Sequence, residues 1–273
     1  MRVNGSWSGV IGLSGGRSFL AHSHHQAPMK TAKPFVGPDG ELILYLMDSS
    51  PGLFNGDKQE ITCTLEAGAE LYLTNQSSCK LHPSVEVEAG SRQVSTFYVG
   101  EGAFLEYRPE PLVPYQGSRH EGETVVHLAT GGQAVVSEII TPGRVGHGEV
   151  WAYERMMSRL SVYWDGELAV WDSLLLEPKS WETSLGLLGE YTHVATLWVL
   201  SEQVSGEHLR LLQEFLAPCK EGDVYAGVSR LSKNGLVVRL LGRSVWQLEK
   251  VMQECWEMVS VEMRGKGALK VRK

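Results

Sequence analysis

The sequence lacks the marks of the common membrane, secreted and enzyme classes. No apolar run approaches the ~20 residues that cross a bilayer; the longest, at 42–47 and 236–241, are strand-length. Residues 1–16 carry one early arginine and no apolar block, so no signal peptide is expected there. The four cysteines, Cys63, Cys79, Cys219 and Cys255, lie far apart with no paired spacing. That suits free thiols in a reducing compartment, and the expectation is a cytoplasmic protein. Net charge is −7 with a pI of about 5.7, which gives no electrostatic reason to expect nucleic acid or an anionic membrane as partner. Catalytic signatures are missing too. No Gly-x-Ser-x-Gly elbow holds a serine. Gly12-Leu13-Ser14-Gly15-Gly16-Arg17 is glycine-rich but has no Gly-Lys-Ser/Thr to cradle phosphate.

What is present is a chain of 273 residues, 42% hydrophobic and 21% charged, enough to bury a full core as one large β domain or two smaller ones. We read it as a single domain over 1–273, β-rich over 1–200 and α/β over 201–273. Period-two or short apolar runs predict strands over 42–47, 60–65, 70–73, 85–88, 93–99, 104–107, 124–128, 134–140, 159–164 and 167–176. Gly, Pro, Asn and Asp turns separate them. A glycine turn leads into an apolar strand repeatedly: Gly68, Gly102, Gly132 and Gly166 recur at roughly 30–34 residues, within the range of stacked repeat units. Chance similarity between hairpins would give the same rhythm, so a β-sandwich and a β-helix-like stack both stay open. The expected fold class is mainly β, a layered or β-helix-like strand stack with two helices towards the C-terminus.

In the last third, Ser205 can cap a helix whose Leu209, Leu212, Phe215 and Leu216 share one face, ending before Pro218. Strands at 224–231 and 236–241 flank Lys233-Asn234-Gly235, a hairpin signal. Ser244 and Gln247 have capping-box spacing ahead of a helical stripe of Leu248, Val251, Met252, Cys255, Trp256 and Val259. That stripe reads as core, or, where exposed, as a helix-in-groove contact. Arg264, Lys266, Lys270, Arg272 and Lys273 form a basic close, read as a solvated terminus or a docking tail for an acidic partner.

Shape-setting residues dominate 49–57 and 65–80. Gly52 and Gly56 supply backbone conformations that side-chained residues resist, and Asn55 and Asp57 suit turn amides. This favours a surface that fits partners over a pocket that does chemistry. In His22-Ser23-His24-His25, His22 and His24 would share a strand face and could chelate nickel, copper or zinc, against the plainer reading of polar surface. His82, His120, His127, His147 and His193 are scattered and read as hydrogen-bonded strand residues. Gly143-Arg144-Val145-Gly146-His147-Gly148-Glu149 has Glu138 upstream and Asp172 downstream. Arg144 could pair with a carboxylate and hold the turn rigid. The same carboxylates could line a wet cavity that passes a divalent cation, or serve a glycosidase, where their separation sets the mechanism.

Four ordered blocks resemble the urease accessory protein UreD family, called UreH in some bacteria. Pro51-Gly52-Leu53-Phe54-Asn55-Gly56-Asp57 is similar to its Gly-Leu-x-x-Gly-Asp turn. Leu73-Thr74-Asn75-Gln76-Ser77-Ser78-Cys79-Lys80-Leu81 resembles its Thr-x-Gln-small-small-x-Lys segment. Glu106-Tyr107-Arg108-Pro109-Glu110-Pro111-Leu112-Val113-Pro114-Tyr115 resembles its strand ending in Pro-x-Pro-x-Ile-Pro-Phe, and the segment from Gly143 to Glu149 its Gly-Arg-x-x-x-Gly-Glu. Phe54-Asn55 departs from the usual Val-Gly. Cys79 stands where many members carry Thr or Ala, as a soft metal contact or, the reading favoured, a small buried thiol.

The resemblance implies a non-enzymatic maturation factor with no catalytic residue, in a β-rich fold of layered strands with two helices. It implies a complex with UreF, recruitment of the GTPase UreG and docking on apo-urease. Nickel would be held only in transit, with an internal tunnel as the route to urease's lysine-carbamate site. On this reading Glu138, Glu149 and Asp172 line the route and Arg144 orders its turn. Gly52, Gly56, Asp57, Gln76, Lys80, Gly143 and Gly148 shape the scaffold. Two rivals are a carbohydrate-active β-helix enzyme using an acidic pair, and a pure scaffold whose metal passes only through its partners.

Overall fold

The computed structural model describes residues 4–83, 90–183, 188–269 and 271. Its strands in chain order are β1 (Asn4–Ser14), β2 (Arg17–Gln26), β3 (Met29–Thr31), β4 (Phe35–Val36), β5 (Leu42–Asp48) and β6 (Lys58–Leu65). Next come β7 (Glu70–Asn75), β8 (Cys79–Leu81), β9 (Ser91–Val99), β10 (Phe104–Tyr107), β11 (Leu112–Pro114) and β12 (Arg119–Leu128). The last are β13 (Gln133–Ile140), β14 (Arg155–Trp164), β15 (Glu167–Leu176), β16 (His193–Leu200), β17 (Val224–Arg230) and β18 (Gly235–Gly242). The helices are α1 (Gly206–Leu216) and α2 (Val245–Arg264). The strand expected over 85–88 lies outside the described residues.

Two sheets face each other. One holds seven strands in the order β15-β14-β12-β9-β6-β1-β2; the other holds eleven, with the main path β17-β18-β16-β13-β10-β7-β5-β3. In the first, β6, β9, β12 and β14 pair in parallel; in the second, so do β5, β7, β10 and β13. Parallel neighbours cannot be joined by a tight hairpin, so the chain crosses to the facing sheet before returning one layer on. Of the two arrangements the sequence left open, this is the β-helix-like one.

The crossing at one end is made three times by the same glycine arc, with Gly68, Gly102 and Gly131 at φ of +70, +63 and +70. The arcs stack on each other: Gly68 N donates to Glu101 O at 2.9 Å, and Gln133 N to Ala103 O at 2.9 Å. The left-handed member of the third arc is therefore Gly131, where the sequence rhythm pointed to Gly132. Gly166 turns the β14–β15 hairpin within one sheet, so the fourth echo ends the coil.

Next to the arcs the space between the sheets is apolar. Leu65, Val99, Leu128 and Trp164 stand at one height on the seven-stranded sheet, facing a sheet that contributes Leu42, Leu71, Leu105 and Ala134. Each large side chain removed from water here stabilises by about 1.5–3 kcal/mol. The outer face of the eleven-stranded sheet is covered as well, by α1 and α2, whose Leu212, Leu248, Met252, Trp256 and Val259 pack on Phe104, Val135, Leu197, Val199 and Leu236. A strand buried on both faces shows no alternation. That is why β16, buried at every position, gave no period-two signal.

The helix ends differ from each other. At α1 a capping box forms: Ser205 N donates to His208 Nδ1 at 3.0 Å and His208 N to Ser205 Oγ at 3.4 Å. At α2 the expected box does not form, because Ser244 Oγ donates to Gln247 Oε1 at 2.6 Å and caps no amide. Arg264, read from sequence as part of a basic tail, belongs to the fold. Its guanidinium lies 3.7 Å over the Phe104 ring and pairs with Glu70 at 2.7 Å, as does Lys266. Lys270, Arg272 and Lys273 lie outside the described residues. Ser205→Ala should lower stability by about 1 kcal/mol, and Ser244→Ala, which removes no amide cap, by much less. Urea unfolding of the two variants side by side measures the difference.

Candidate functional site

Away from the glycine arcs, a third, short face closes the space between the sheets. Leu53 bridges Leu81 in parallel. β8 pairs in parallel with β11 through Cys79, Lys80 and Leu81 opposite Leu112, Val113 and Pro114. β11 meets β13 at Leu112 and Ile140. Backbone bonds tie the layers together: Leu53 N to Lys80 O at 2.8 Å, Tyr115 N to Leu81 O at 2.9 Å, and Thr141 N to Leu112 O at 3.0 Å. The four sequence blocks that carry the family resemblance thus lie one upon another as a single wall.

The shape-setting residues act inside that wall. Gly52, at φ +132, leaves no room for a side chain, since an added Cβ would lie 2.3 Å from Lys80 O. Gly143, at φ +130, is held as closely, 2.7 Å from Glu149 O by the same measure. Phe54 N donates to Asp57 Oδ2 and Asp57 N to Phe54 O, both at 3.0 Å, which closes the turn around Asn55 and Gly56. Phe54, one departure from the family pattern, stacks on His82 with centroids 4.1 Å apart. Gln76 and Lys80 are exposed on the rim beside this wall, and Gly148 ends a single helical turn at Val145–His147.

The predicted site residues do not form one cluster. Glu149 is engaged at both oxygens: Arg144 Nε donates to Oε2 at 2.9 Å, Arg144 Nη2 donates to Oε1, and Gln116 N donates to Oε2 at 3.1 Å. These bonds, Arg144's first, hold the Glu149 carboxyl below its ordinary pKa. Arg144 also lies 4.0 Å over the Tyr115 ring. This is the turn-fixing pair the sequence allowed, and it locks the outermost layer of the wall. His22 and His24 are exposed on β2, at the edge of the seven-stranded sheet. Between them Ser23, itself exposed, accepts from Trp7 Nε1 at 3.0 Å.

Glu138 is placed differently. Moving from the arcs towards the wall, the interior of the seven-stranded sheet changes level by level. Cys63, Phe97, Val126 and Val162 are followed by Ile61, Ser95, Thr124, Leu160 and Asp172, and then by Gln59, Gln93, Gly122 and Ser158. Across from this polar end, Glu138, Thr196 and Arg239 align on the other sheet. A cavity of about 50 Å³ lies here, lined by Tyr107, His120, Glu138 and Ser158 among others. It shares Gln93, Pro109, Glu110 and Leu112 with a second of about 70 Å³ that reaches Asp48, Gln59 and Cys79. Each has room for a few waters.

Ser158 Oγ donates to Glu138 Oε1 at 2.7 Å. Burial pushes the Glu138 carboxyl up to about 7, the Ser158 bond opposes this, and the nearby Asp172 charge adds to it. Asp172 accepts from Trp198 Nε1 at 2.9 Å and pairs with Arg239 at 2.7 Å. Cys79 is half-buried, and desolvation pushes its thiol up to about 12, so it is not a thiolate near neutrality. Two buried polar groups carry more than the sequence reading gave them: His120 was read only as a hydrogen-bonded strand residue, as its contact with Ser91 shows it to be, and Glu106 only as part of a family block. His120 joins the cavity, and Glu106 sits on the opposite face of its sheet under α2, with Arg108 Nη1 at 3.5 Å and Gln253 beyond. Among the described residues, no three His, Cys, Asp or Glu side chains are placed to hold a metal together. No helix there is long and apolar enough to cross a membrane.

Fold and site define a β-helix-like protein with a polar, ionisable interior end. The chain belongs to the UreD urease accessory protein family, whose model matches residues 5–273. It is 33% identical over 244 residues to the urease accessory protein UreD of Acetivibrio thermocellus, covering 88% of this chain and 91% of the relative. It is 28% identical to UreD of Bacillus sp. strain TB-90 over 97% of this chain and 98% of the relative. With the urease accessory protein UreH of Helicobacter acinonychis it shares 27% identity over 91% and 92% of the two chains. The protein is therefore an accessory factor of urease maturation, acting with the components of that process, and not an enzyme. The carbohydrate-active reading is set aside.

Glu138 makes stability depend on pH with a definite sign. Its folded-state pKa of about 7 lies above the ordinary 4.5, so the folded state binds the extra proton and loses stability as pH rises between those values. Glu138→Gln keeps the acceptor for Ser158 and removes the charge. It should stabilise the chain at pH 8 by up to about 3 kcal/mol, with the gain gone below pH ~4.5; thermal melts across that range measure it.

Proposed function

We propose that the chain is a cytoplasmic scaffold, working as one unit over 1–273, that joins UreF and the GTPase UreG on apo-urease, and that nickel crosses its polar interior end in transit. The observation that carries this reading is Glu138. A scaffold needing only shape would fill that position with an apolar side chain, because a buried carboxylate opposes folding. Here the carboxylate is oriented by Ser158, ionises near neutrality and lines a wet cavity. A proton leaving as the cation arrives would let this group bind and release on demand. Asp172 reaches across from the facing sheet to Trp198 and Arg239 and adds a second acid near Glu138, and Asp48 and Glu110 mark the adjoining cavity. Glu149 supports the route by holding Arg144 and the wall rather than by touching metal.

The partner reading draws support from a separate surface. Edge strand β15 exposes Leu168, Trp171 and Leu175, Trp171 to 64%. Edge strand β17 exposes Tyr225, and an apolar groove of about 500 Å³ lies between these two sheet edges. Apolar patches at sheet edges mark surfaces that other chains cover.

Gly122 offers a direct test of the interior route. An added Cβ would meet nothing closer than 3.6 Å, so a larger side chain would grow into the cavity without breaking a backbone contact. Gly122→Leu should fold and still copurify with UreF and UreG, yet lower the nickel content of co-expressed urease several-fold. Glu138→Ala combined with Asp172→Asn should do the same. Unchanged urease nickel in both would overturn the interior route and leave the pure-scaffold reading.

A further inference from the structure

We propose that His120 is a nitrogen ligand on this route, a stop that favours late first-row divalent cations such as nickel over magnesium and calcium. The inference rests on the interior-route reading and adds to it the group that selects the metal. His120 is buried, with 1% of its surface exposed. Its Nδ1 lies 2.9 Å from Ser91 Oγ, whose own proton has the Arg119 carbonyl as acceptor at 3.4 Å. That arrangement has Nδ1–H donating to the serine and leaves the lone pair on Nε2. Fixing one ring nitrogen by a hydrogen bond while the other stays open is the usual setting of a metal-binding imidazole.

Nε2 has no partner although it is buried. A buried polar atom left so opposes folding, and such atoms call for a reason. Beside it the chain has Gly122, whose backbone lies outside the left-handed region and whose missing Cβ would sit 3.6 Å from Nε2. Neither backbone conformation nor close packing requires glycine there; what its absence of a side chain provides is open space in front of the imidazole. Glu138, Ser137 and Ser158 line the same cavity. Burial lowers the His120 pKa to about 4, so the ring is neutral and able to ligate at neutral pH.

The chemistry follows from the donor set. Carboxylate and hydroxyl oxygens alone suit magnesium and calcium, and a neutral imidazole shifts the preference towards nickel, copper and zinc. One imidazole and one carboxylate, completed by water, make a site that discriminates yet releases. A transit stop needs both properties.

The test uses the full-length chain in a His22→Ala/His24→Ala/His25→Ala background, so that surface imidazoles do not contribute, with Ni²⁺ as the probe. X-ray absorption at the nickel edge should show imidazole scattering, and His120→Gln should remove it. Nickel affinity should fall roughly tenfold or more, with magnesium binding unchanged. Imidazole scattering that persists in His120→Gln, or is absent from the background protein, would overturn the assignment. Ser91→Ala leaves the ring but frees it to turn, and serves if His120→Gln fails to fold: a roughly tenfold weaker nickel affinity is expected, and an unchanged one overturns the proposal. Gly122→Leu measured alongside separates the two readings. If it blocks delivery while His120→Gln keeps the scattering, the route stands and the ligand falls. If His120→Gln loses the scattering but Gly122→Leu leaves delivery intact, His120 binds nickel and the route falls.

Discussion

Each coil of this chain is hydrogen-bonded to the next in parallel and in register, so the height of one residue fixes the heights of its neighbours in every other coil. Most of what distinguishes the molecule follows from that ladder. The arcs must cross between sheets at one level, which places a left-handed glycine in each. The interior becomes a set of layers, each drawing one side chain per coil. At the far end the same ladder stacks four segments, scattered from Pro51 to Glu149 in sequence, into one wall.

Layering also allows the interior to be divided by height. Near the arcs, Leu65, Val99, Leu128 and Trp164 fill a dry core that supplies the stabilisation. Two levels further on, Ser95 and Thr124 appear, and after them Gln59, Gln93 and Ser158. The polar end holds Glu138 and His120, groups whose burial opposes folding, because the apolar end and the helix-covered outer face offset them. Stability and a polar, ionisable interior are thus placed in different layers of the same coils.

The sequence disclosed strands that alternate or stand as apolar runs between clear turn signals, and missed others. β15 was read with the limits the structure shows, since a strand with differing faces carries a local pattern; β10, buried at all four positions, was read as a short apolar run between turn residues. β16 was passed over because both its faces are covered, one by helices far along the chain. In β1, Gly5, Gly9 and Gly12 dilute an inward series of Trp7 and Ile11, and β8 and β11 are too short to carry a period. Of the site, the Arg144–Glu149 pair was legible because its partners are neighbours in sequence. Glu138 and Asp172 could be noticed as acids, but that both face the polar end depends on register across non-adjacent strands. His120 could not be singled out, because its meaning comes from Ser91 in the next coil and from the empty space beside Gly122.

The parallel ladder has a kinetic side. β1 takes its place beside β6, so the N-terminal hairpin cannot dock until more than thirty further residues have been added. Every later coil likewise closes a loop through the opposite sheet before its first inter-strand bond forms. Chains dominated by such distant pairings fold slowly, and their open edges are exposed to other chains while they do. While the chain is incomplete, each coil's open edge is the surface that the next coil, or another chain, can take.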